Sequence, residues 1–164
     1  MNTGQMLLTL GALVLLSVII LRVNNNAVTT NSVLLDTKFG VLAVSLATSI
    51  IEEANKKAFD AVTDGDAITD ISLLTSPYGL GPASGETYEN FNDFDDFDRY
   101  TKYVTNIPSA EFKVYCLVHY VNPTYLNDST TTRTWHKKIT VEVTSPSMAD
   151  TVRLSSLYSY WYFR

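Results

Sequence analysis

Four aspartates lie close together in the middle of the sequence. They fall within segment 90–100 (NFNDFDDFDRY) and are Asp93, Asp95, Asp96 and Asp98. Carboxylate oxygens are the ligands that Ca2+ prefers, so these residues are candidate calcium ligands. Their spacing lacks the glycine and the terminal glutamate of an EF-hand loop. The alternative is a solvated acidic turn whose phenylalanines point inward: Phe91, Phe94 and Phe97.

The other side chains that could do chemistry are isolated from one another. His119 and His136 are the two histidines, and neither has a serine or aspartate motif beside it. Cys116 is the single cysteine, which excludes an intrachain disulfide, and its apolar alternating neighbours place it in a core. Asn127 begins an Asn-x-Ser tripeptide in a predicted surface loop, so it is a candidate glycosylation site.

No catalytic motif stands out along the chain. The sequence contains no GxSxG, phosphate-binding glycine loop, HExxH or paired catalytic carboxylates. The formal charge of -5 comes without any lysine and arginine cluster, so nucleic acid is not expected as the main ligand. We therefore predict that the protein is not an enzyme and holds no cofactor, the calcium alternative aside.

A long apolar run lies near the N terminus. Residues 6–21 are sixteen residues without a charge. As a helix they span about 24 Å, slightly less than a hydrocarbon core of about 30 Å. No basic segment precedes the run and no small-residue cleavage site follows it, which disfavours an ordinary signal peptide. The residues predicted to anchor or polymerise the chain are Met6, Leu7, Leu8, Leu10, Leu13, Val14, Leu16, Ile19 and Ile20.

The helical pattern continues beyond the apolar run to about residue 62. Between residues 33 and 59 apolar side chains recur mostly three or four apart, as in an amphipathic helix that packs on a domain. They are Val33, Leu34, Val41, Leu42, Val44, Leu46, Ile50, Ile51, Ala54, Ala58 and Phe59. Residues 24–32 are rich in asparagine and threonine, which are poor helix formers, so the helix should be weakest there.

The remaining sequence is typical of an antiparallel sheet preceded by a loop-rich stretch. Residues 63–110 contain clustered glycine and proline and should be largely irregular. Residues 111–120 alternate apolar and polar, residues 135–143 alternate again, and residues 151–163 supply a third strand. The predicted fold class is α+β, with a long N-terminal helix packed through its second half on an antiparallel sheet of three or more strands.

The N-terminal sequence resembles the class III processing signal of type IV pilins and pseudopilins. A short polar leader, residues 1–4, ends in Gly4 and is followed at once by Gln5 and the apolar helix. The Asp/Phe-rich segment 90–100 is similar to one in some pseudopilin-like proteins. The resemblance implies that a prepilin peptidase cuts after Gly4 and methylates Gln5. At the fifth mature position, where the family usually has glutamate, this chain has Thr9.

The resemblance also implies a place and partners for the protein. The subunit would sit in the bacterial inner membrane, then join copies of itself in an extracellular filament at the cell surface, with the help of a pilus assembly machinery. The corresponding division of the chain is a leader (1–4), an anchoring and polymerising segment (5–32) and a pilin-like globular domain (33–164). The alternative is a single-span membrane-anchored extracytoplasmic binding domain that does not polymerise.

Overall fold

A single long helix opens the chain in the computed structural model, which describes residues 2–108 and 110–161. Helix α1 runs Thr3–Ala54 and continues unbroken through the asparagine-rich segment 24–32. The chain forms two compact units, and the boundary between them lies between Lys38 and Phe39, within α1.

The end of α1 comes earlier than the helical pattern suggests. Residues 55–62 were predicted to continue the helix, but the last helical residue is Ala54. Ala58 instead forms an isolated parallel bridge with Asp93, in which the Ala58 N–H donates to the Asn92 carbonyl. Asp60 then has extended backbone and caps a 3-10 turn over Ala61–Thr63. A tertiary pairing therefore overrides local helix propensity at this point.

Within the described residues, four antiparallel strands follow in simple sequential order. They are β1 (Thr101–Val104), β2 (Phe112–Tyr120), β3 (His136–Thr144) and β4 (Val152–Ser159), and each pairs with the next. Strand β2 shows the alternation read from the sequence, because every second residue from Phe112 to Tyr120 is buried. The α+β fold class is thus confirmed, with the hairpin of β2 and β3 as its centre.

Strand β1 was not predicted, since it falls in the stretch that was expected to be irregular. It is only four residues long and its side chains are exposed or half-buried, so it carries little apolar signal. Short 3-10 turns occupy parts of the same stretch, at Ile71–Leu73, Tyr88–Asn90 and Asp95–Phe97. The other described residues of the stretch are irregular, as expected.

The core lies between the last four turns of α1 and the inner face of the sheet. The buried helix face consists of Phe39, Ala43, Ala47, Ile50 and Ala54. Three of these residues are alanines, which permit close approach of the helix to the sheet, while the ring of Phe39 meets that of Phe112 edge-on at 6.5 Å. Four residues that the periodicity assigned to the packed face are exposed instead: Val33, Leu34, Val41 and Val44.

Candidate functional site

The first part of the N-terminal unit of α1 presents an exposed and mostly apolar surface. All side chains from residue 2 to residue 38 are exposed, and Leu8 is 76% exposed. Each residue predicted to anchor or polymerise the chain belongs to this surface, from Met6 at 58% to Ile20 at 58%. We call residues 6–21 the apolar segment. Its area is far larger than a soluble monomer normally leaves in water.

The few polar side chains of the apolar segment are satisfied within the helix itself. The hydroxyl of Thr9 donates to the Met6 carbonyl at 2.9 Å, and that of Ser17 donates to the Leu13 carbonyl at 2.9 Å. Hydroxyls bonded in this way do not need water. Between residues 2 and 35 the only ionisable side chain is Arg22. The segment is therefore suited to an environment that excludes water.

By length and composition alone, α1 is long and apolar enough to cross a membrane. The candidate processing residues, Gly4 and Gln5, lie in its first turn and are exposed. Cleavage after Gly4 stays a prediction.

The acidic segment is buried, which corrects the expectation of a solvated turn. Phe91, Phe94 and Phe97 point inward as predicted, but the four aspartates are also buried, with exposures of 2–7%. Their carboxylates have internal partners. Asp93 accepts the N–H groups of Asp95 and Asp96, and Asp96 accepts those of Asn92 and Asp93.

The remaining two aspartates reach separate parts of the domain. Asp98 accepts the Val118 N–H at 2.9 Å and pairs with Arg99 at 2.8 Å. Asp95 forms an ion pair with Lys137. In the described part of the chain, no group of three or more acidic, histidine or cysteine side chains is arranged to hold a metal ion. Calcium binding stays a prediction, and the geometry adds no support to it.

A fully buried lysine is the chemically most unusual feature of the domain. The side chain of Lys137, on β3, has no exposed surface. Its Nζ lies 2.8 Å from Asp60 Oδ2, 2.5 Å from Asp95 Oδ1 and 2.8 Å from the Phe59 carbonyl. The rings of Phe59 and Tyr120 lie 4.6 Å and 5.3 Å from it, centroid to nitrogen. We call Lys137, Asp60, Asp95 and Tyr120 the buried lysine centre.

Asp60 is held in place by donors on several sides. Its carboxylate accepts the Thr75 N–H at 2.9 Å, the Thr75 hydroxyl at 3.0 Å and the Tyr120 hydroxyl at 3.3 Å. Burial opposes ionisation of Asp60, but the charge of Lys137 and the donors of Thr75 outweigh it and lower the pKa. Asp60 is therefore a stable anion in the folded protein.

Asp95 and its neighbour Asp93 behave in the opposite way. Burial raises the pKa of Asp95 despite the opposing charge of Lys137. Burial and the adjacent charge of Asp95 raise the pKa of Asp93 to about 8. One buried cation thus faces more carboxyl groups than it can neutralise, so protons are retained on the Asp93 and Asp95 side of the centre.

Lys137 and Asp60 were not identified as site residues from the sequence, although a signal existed for Lys137. It lies in phase with the apolar residues Ile139, Val141 and Val143, all of which are buried. A lysine at such a position must be buried too, and a buried lysine requires a carboxylate partner. No comparable signal marks Asp60, because its partners are distant in sequence.

The remaining candidate residues lie apart from one another. Asn127 is exposed in the connection between β2 and β3, as an acceptor for glycosylation must be. Cys116 is buried in the core as predicted, and burial raises the pKa of its thiol to about 12. His136 contacts the Ser159 hydroxyl at 2.7 Å, and His119 is half-buried on β2. These residues do not form a common site.

Comparison with protein-family models, with curated proteins and with solved structures finds no match to this chain.

Replacing Asp93 by asparagine is expected to stabilise the domain at pH 8. The unfolded chain releases the Asp93 proton near the ordinary value of 3.8, whereas the folded protein retains it until about pH 8. Stability therefore falls as the pH rises between these values, by up to about 1.4 kcal/mol per pH unit. Asparagine cannot ionise, yet its oxygen still accepts the N–H groups of Asp95 and Asp96.

Thermal unfolding measured from pH 4 to pH 8 tests this expectation. Asp93→Asn should flatten the pH dependence of stability. The variant should exceed the wild type in stability by the largest amount at pH 8. Asp66→Asn, at an exposed position, makes the same chemical change and should leave the curve unaltered. A wild-type curve that is flat or rises over this range would show that Asp93 is ionised in the folded state.

Proposed function

We propose that the protein is a structural subunit of an extracellular filament of the type IV pilus or pseudopilus kind. The subunit is held in the inner membrane before assembly and then packs against copies of itself through the apolar segment. Its role is mechanical and does not involve catalysis. A prepilin peptidase and a pilus assembly machinery are the partners that the sequence resemblance implies.

The observation that carries this proposal is the complete exposure of the apolar segment. Eleven of its sixteen residues are leucine, valine or isoleucine, and all of them are exposed. Each such side chain contributes about 1.5–3 kcal/mol when it moves out of water. Lipid and neighbouring copies of the same helix are the two environments that supply this gain to an apolar helix of this length.

Assembly from identical copies suits the chemistry of this helix. A contact between different faces of identical subunits repeats without closing and gives an open helical filament. Because Thr9 replaces the usual glutamate and its hydroxyl is bonded to Met6, no side-chain charge contributes to packing there. In our proposal, apolar packing alone holds neighbouring helices together.

Leu13→Lys is expected to abolish filament formation while leaving the subunit in the membrane. On insertion scales, the ten other leucine, valine and isoleucine side chains favour the membrane by roughly 3–6 kcal/mol together. One central lysine costs about 2.5–3.5 kcal/mol, which is less than this gain over most of its range, so we expect the subunit to remain inserted. Inside a filament the ammonium would be buried without a partner, which costs more than one interface can offset.

Electron microscopy of material sheared from producing cells and membrane fractionation are the measurements. Leu73→Lys is the matched control, because Leu73 is 56% exposed on the globular domain and Leu13 is 61% exposed. The control should form filaments as the wild type does. Normal filaments from Leu13→Lys would contradict the proposal.

Mass spectrometry of the subunit's N terminus completes the experiment. Filaments whose chains begin at Gln5 support both assembly and processing. Filaments of unprocessed chains would support the proposed filament architecture but contradict cleavage by a prepilin peptidase. If the wild type forms no filaments and remains in the membrane fraction, the protein is the anchored extracytoplasmic domain instead.

A further inference from the structure

The buried lysine centre places an amine against carboxyl groups where water is excluded. Nζ of Lys137 lies 2.5 Å from Asp95 Oδ1, and the side chains have exposures of 0% and 3%. The aromatic rings of Phe59 and Tyr120 close the site around the amine. These groups belong to the globular domain, so the inference below does not depend on filament formation.

We propose that Lys137 and Asp95 condense to form an intramolecular amide bond between Nζ and Cγ. The bond joins β3 to the 3-10 turn Asp95–Phe97. Amide formation from an amine and an acid is slow in water, but the effective concentrations of well-oriented groups in one molecule reach about 10⁵–10⁸ M. Burial also excludes the water that would reverse the reaction.

The reaction needs no external reagent and its atoms balance. The ammonium of Lys137 gives one proton to the Asp95 carboxylate, which leaves a neutral amine beside a neutral acid. The nitrogen lone pair then attacks Cγ and forms the C–N bond. A second proton leaves the nitrogen, the C–O bond to the hydroxyl breaks, and one molecule of water departs. Over the whole step, an ammonium and a carboxylate become an amide and water.

The two neighbouring carboxyl groups are placed to move the protons. Asp60 Oδ2 lies 2.8 Å from Nζ and, as an anion, accepts the proton that the nitrogen loses. Asp93 lies within hydrogen-bonding reach of Asp95, and its raised pKa keeps it protonated near neutral pH, so it donates to the departing hydroxyl. Asp60 then releases a proton and Asp93 regains one, so both are unchanged overall.

Asp95, and not Asp60, is the acceptor because the two carboxyl groups differ in their partners. Asp60 accepts hydrogen bonds from Thr75 and Tyr120 in addition to Lys137, and these donors stabilise its unreactive anion. The Asp95 carboxylate has fewer partners, which are Lys137 and the carboxyl group of Asp93. A buried carboxyl with so few donors protonates readily, which makes its carbon electrophilic.

Intact-mass spectrometry of the denatured full-length wild type tests the proposal. The chain should be lighter than its sequence by the mass of one water molecule. Lys137→Met and Asp95→Ala should each restore the full mass for their sequence. Lys138→Met, at the next residue on the opposite face of β3, should retain the loss. A wild type of full mass would overturn the proposal without any variant.

Peptide mapping locates the bond and excludes a different dehydration. Asp64–Gly65 can also lose water, by forming a succinimide that hydroxylamine cleaves, whereas an amide resists this reagent. Trypsin should fail to cut after Lys137. A second protease that cuts after Glu86 and Glu89 places Asp60 and Asp95 in different peptides, so that a link to one can be distinguished from a link to the other. Peptide 134–138 joined to peptide 90–99 supports the proposal. A loss located at residues 64–65, or a link to Asp60, overturns it.

Discussion

Lys137→Met is expected to lower the free energy of unfolding by about 3–5 kcal/mol, because it leaves buried carboxyl groups without their cation. Methionine matches the length and apolar stem of lysine, so little packing is lost. What disappears is the group that contacts Asp60 Oδ2 at 2.8 Å, Asp95 Oδ1 at 2.5 Å and the Phe59 carbonyl at 2.8 Å. If Lys137 is joined to Asp95, the variant loses that covalent bond instead of an ion pair.

Urea unfolding of the full chain in detergent measures the effect. Lys138→Met is the matched control, because Lys138 is half-buried on the other face of β3, and it should change stability by less than about 0.5 kcal/mol. Adding Asp95→Asn to Lys137→Met should recover part of the loss, since one unpaired buried charge is removed. A loss below about 1 kcal/mol in Lys137→Met would mean that the centre contributes little to stability.

Strands β2 and β3 could be predicted from the sequence because each has an alternation of apolar and polar residues within its own segment. In β2 the alternation of buried and exposed side chains follows directly from the order of apolar and polar residues. The same rule gave β3, in which Lys137 lies in phase with the buried residues Ile139 and Val141. Strand β1 escaped prediction because four residues with half-buried side chains carry no such pattern. It is identified by its pairing with β2, which is information from the tertiary structure.

The packed face of α1 was only partly predictable. Apolar residues occur around the whole circumference of the helix, so periodicity could not separate the face that packs from the face that does not. The helix packs on the sheet mainly through small residues: Ala43, Ala47 and Ala54. Alanine is only weakly hydrophobic, so it contributes little to a hydrophobicity pattern. Large residues such as Val41 and Val44 lie exposed on the other side.

The buried lysine centre could not be assembled from the sequence because its parts are far apart in the chain. Asp95 lies 42 residues before Lys137, and Asp60 lies 77 residues before it. Four aspartates within one short segment suggested a solvated turn or a calcium loop, since isolated carboxylates avoid burial. Their burial becomes intelligible once the lysine and the backbone N–H donors of the segment are known.

Around the same acidic turn, the aromatic cluster consists of Tyr88, Phe91, Phe97 and Tyr100. Phe97 has no exposed surface. Its ring meets those of Phe91, Tyr88 and Tyr100 edge-on, at centroid distances of 5.2, 6.2 and 6.3 Å. Edge-on pairs of this kind add about 0.5–1.5 kcal/mol beyond the area that they bury. The cluster therefore fixes the 3-10 turn that carries Asp95.

Phe97→Ala is expected to lower the free energy of unfolding by about 3–5 kcal/mol, because it removes a fully buried ring and leaves a cavity among rigid neighbours. Urea unfolding measures the loss. Tyr103→Ala is the control, since Tyr103 on β1 is 69% exposed and its truncation should cost less than about 1 kcal/mol. Equal losses in the two variants would show that the cluster does not organise the domain. A large loss confined to Phe97→Ala would mean that the acidic turn is held in place by the aromatic rings, with the carboxylates positioned as a result.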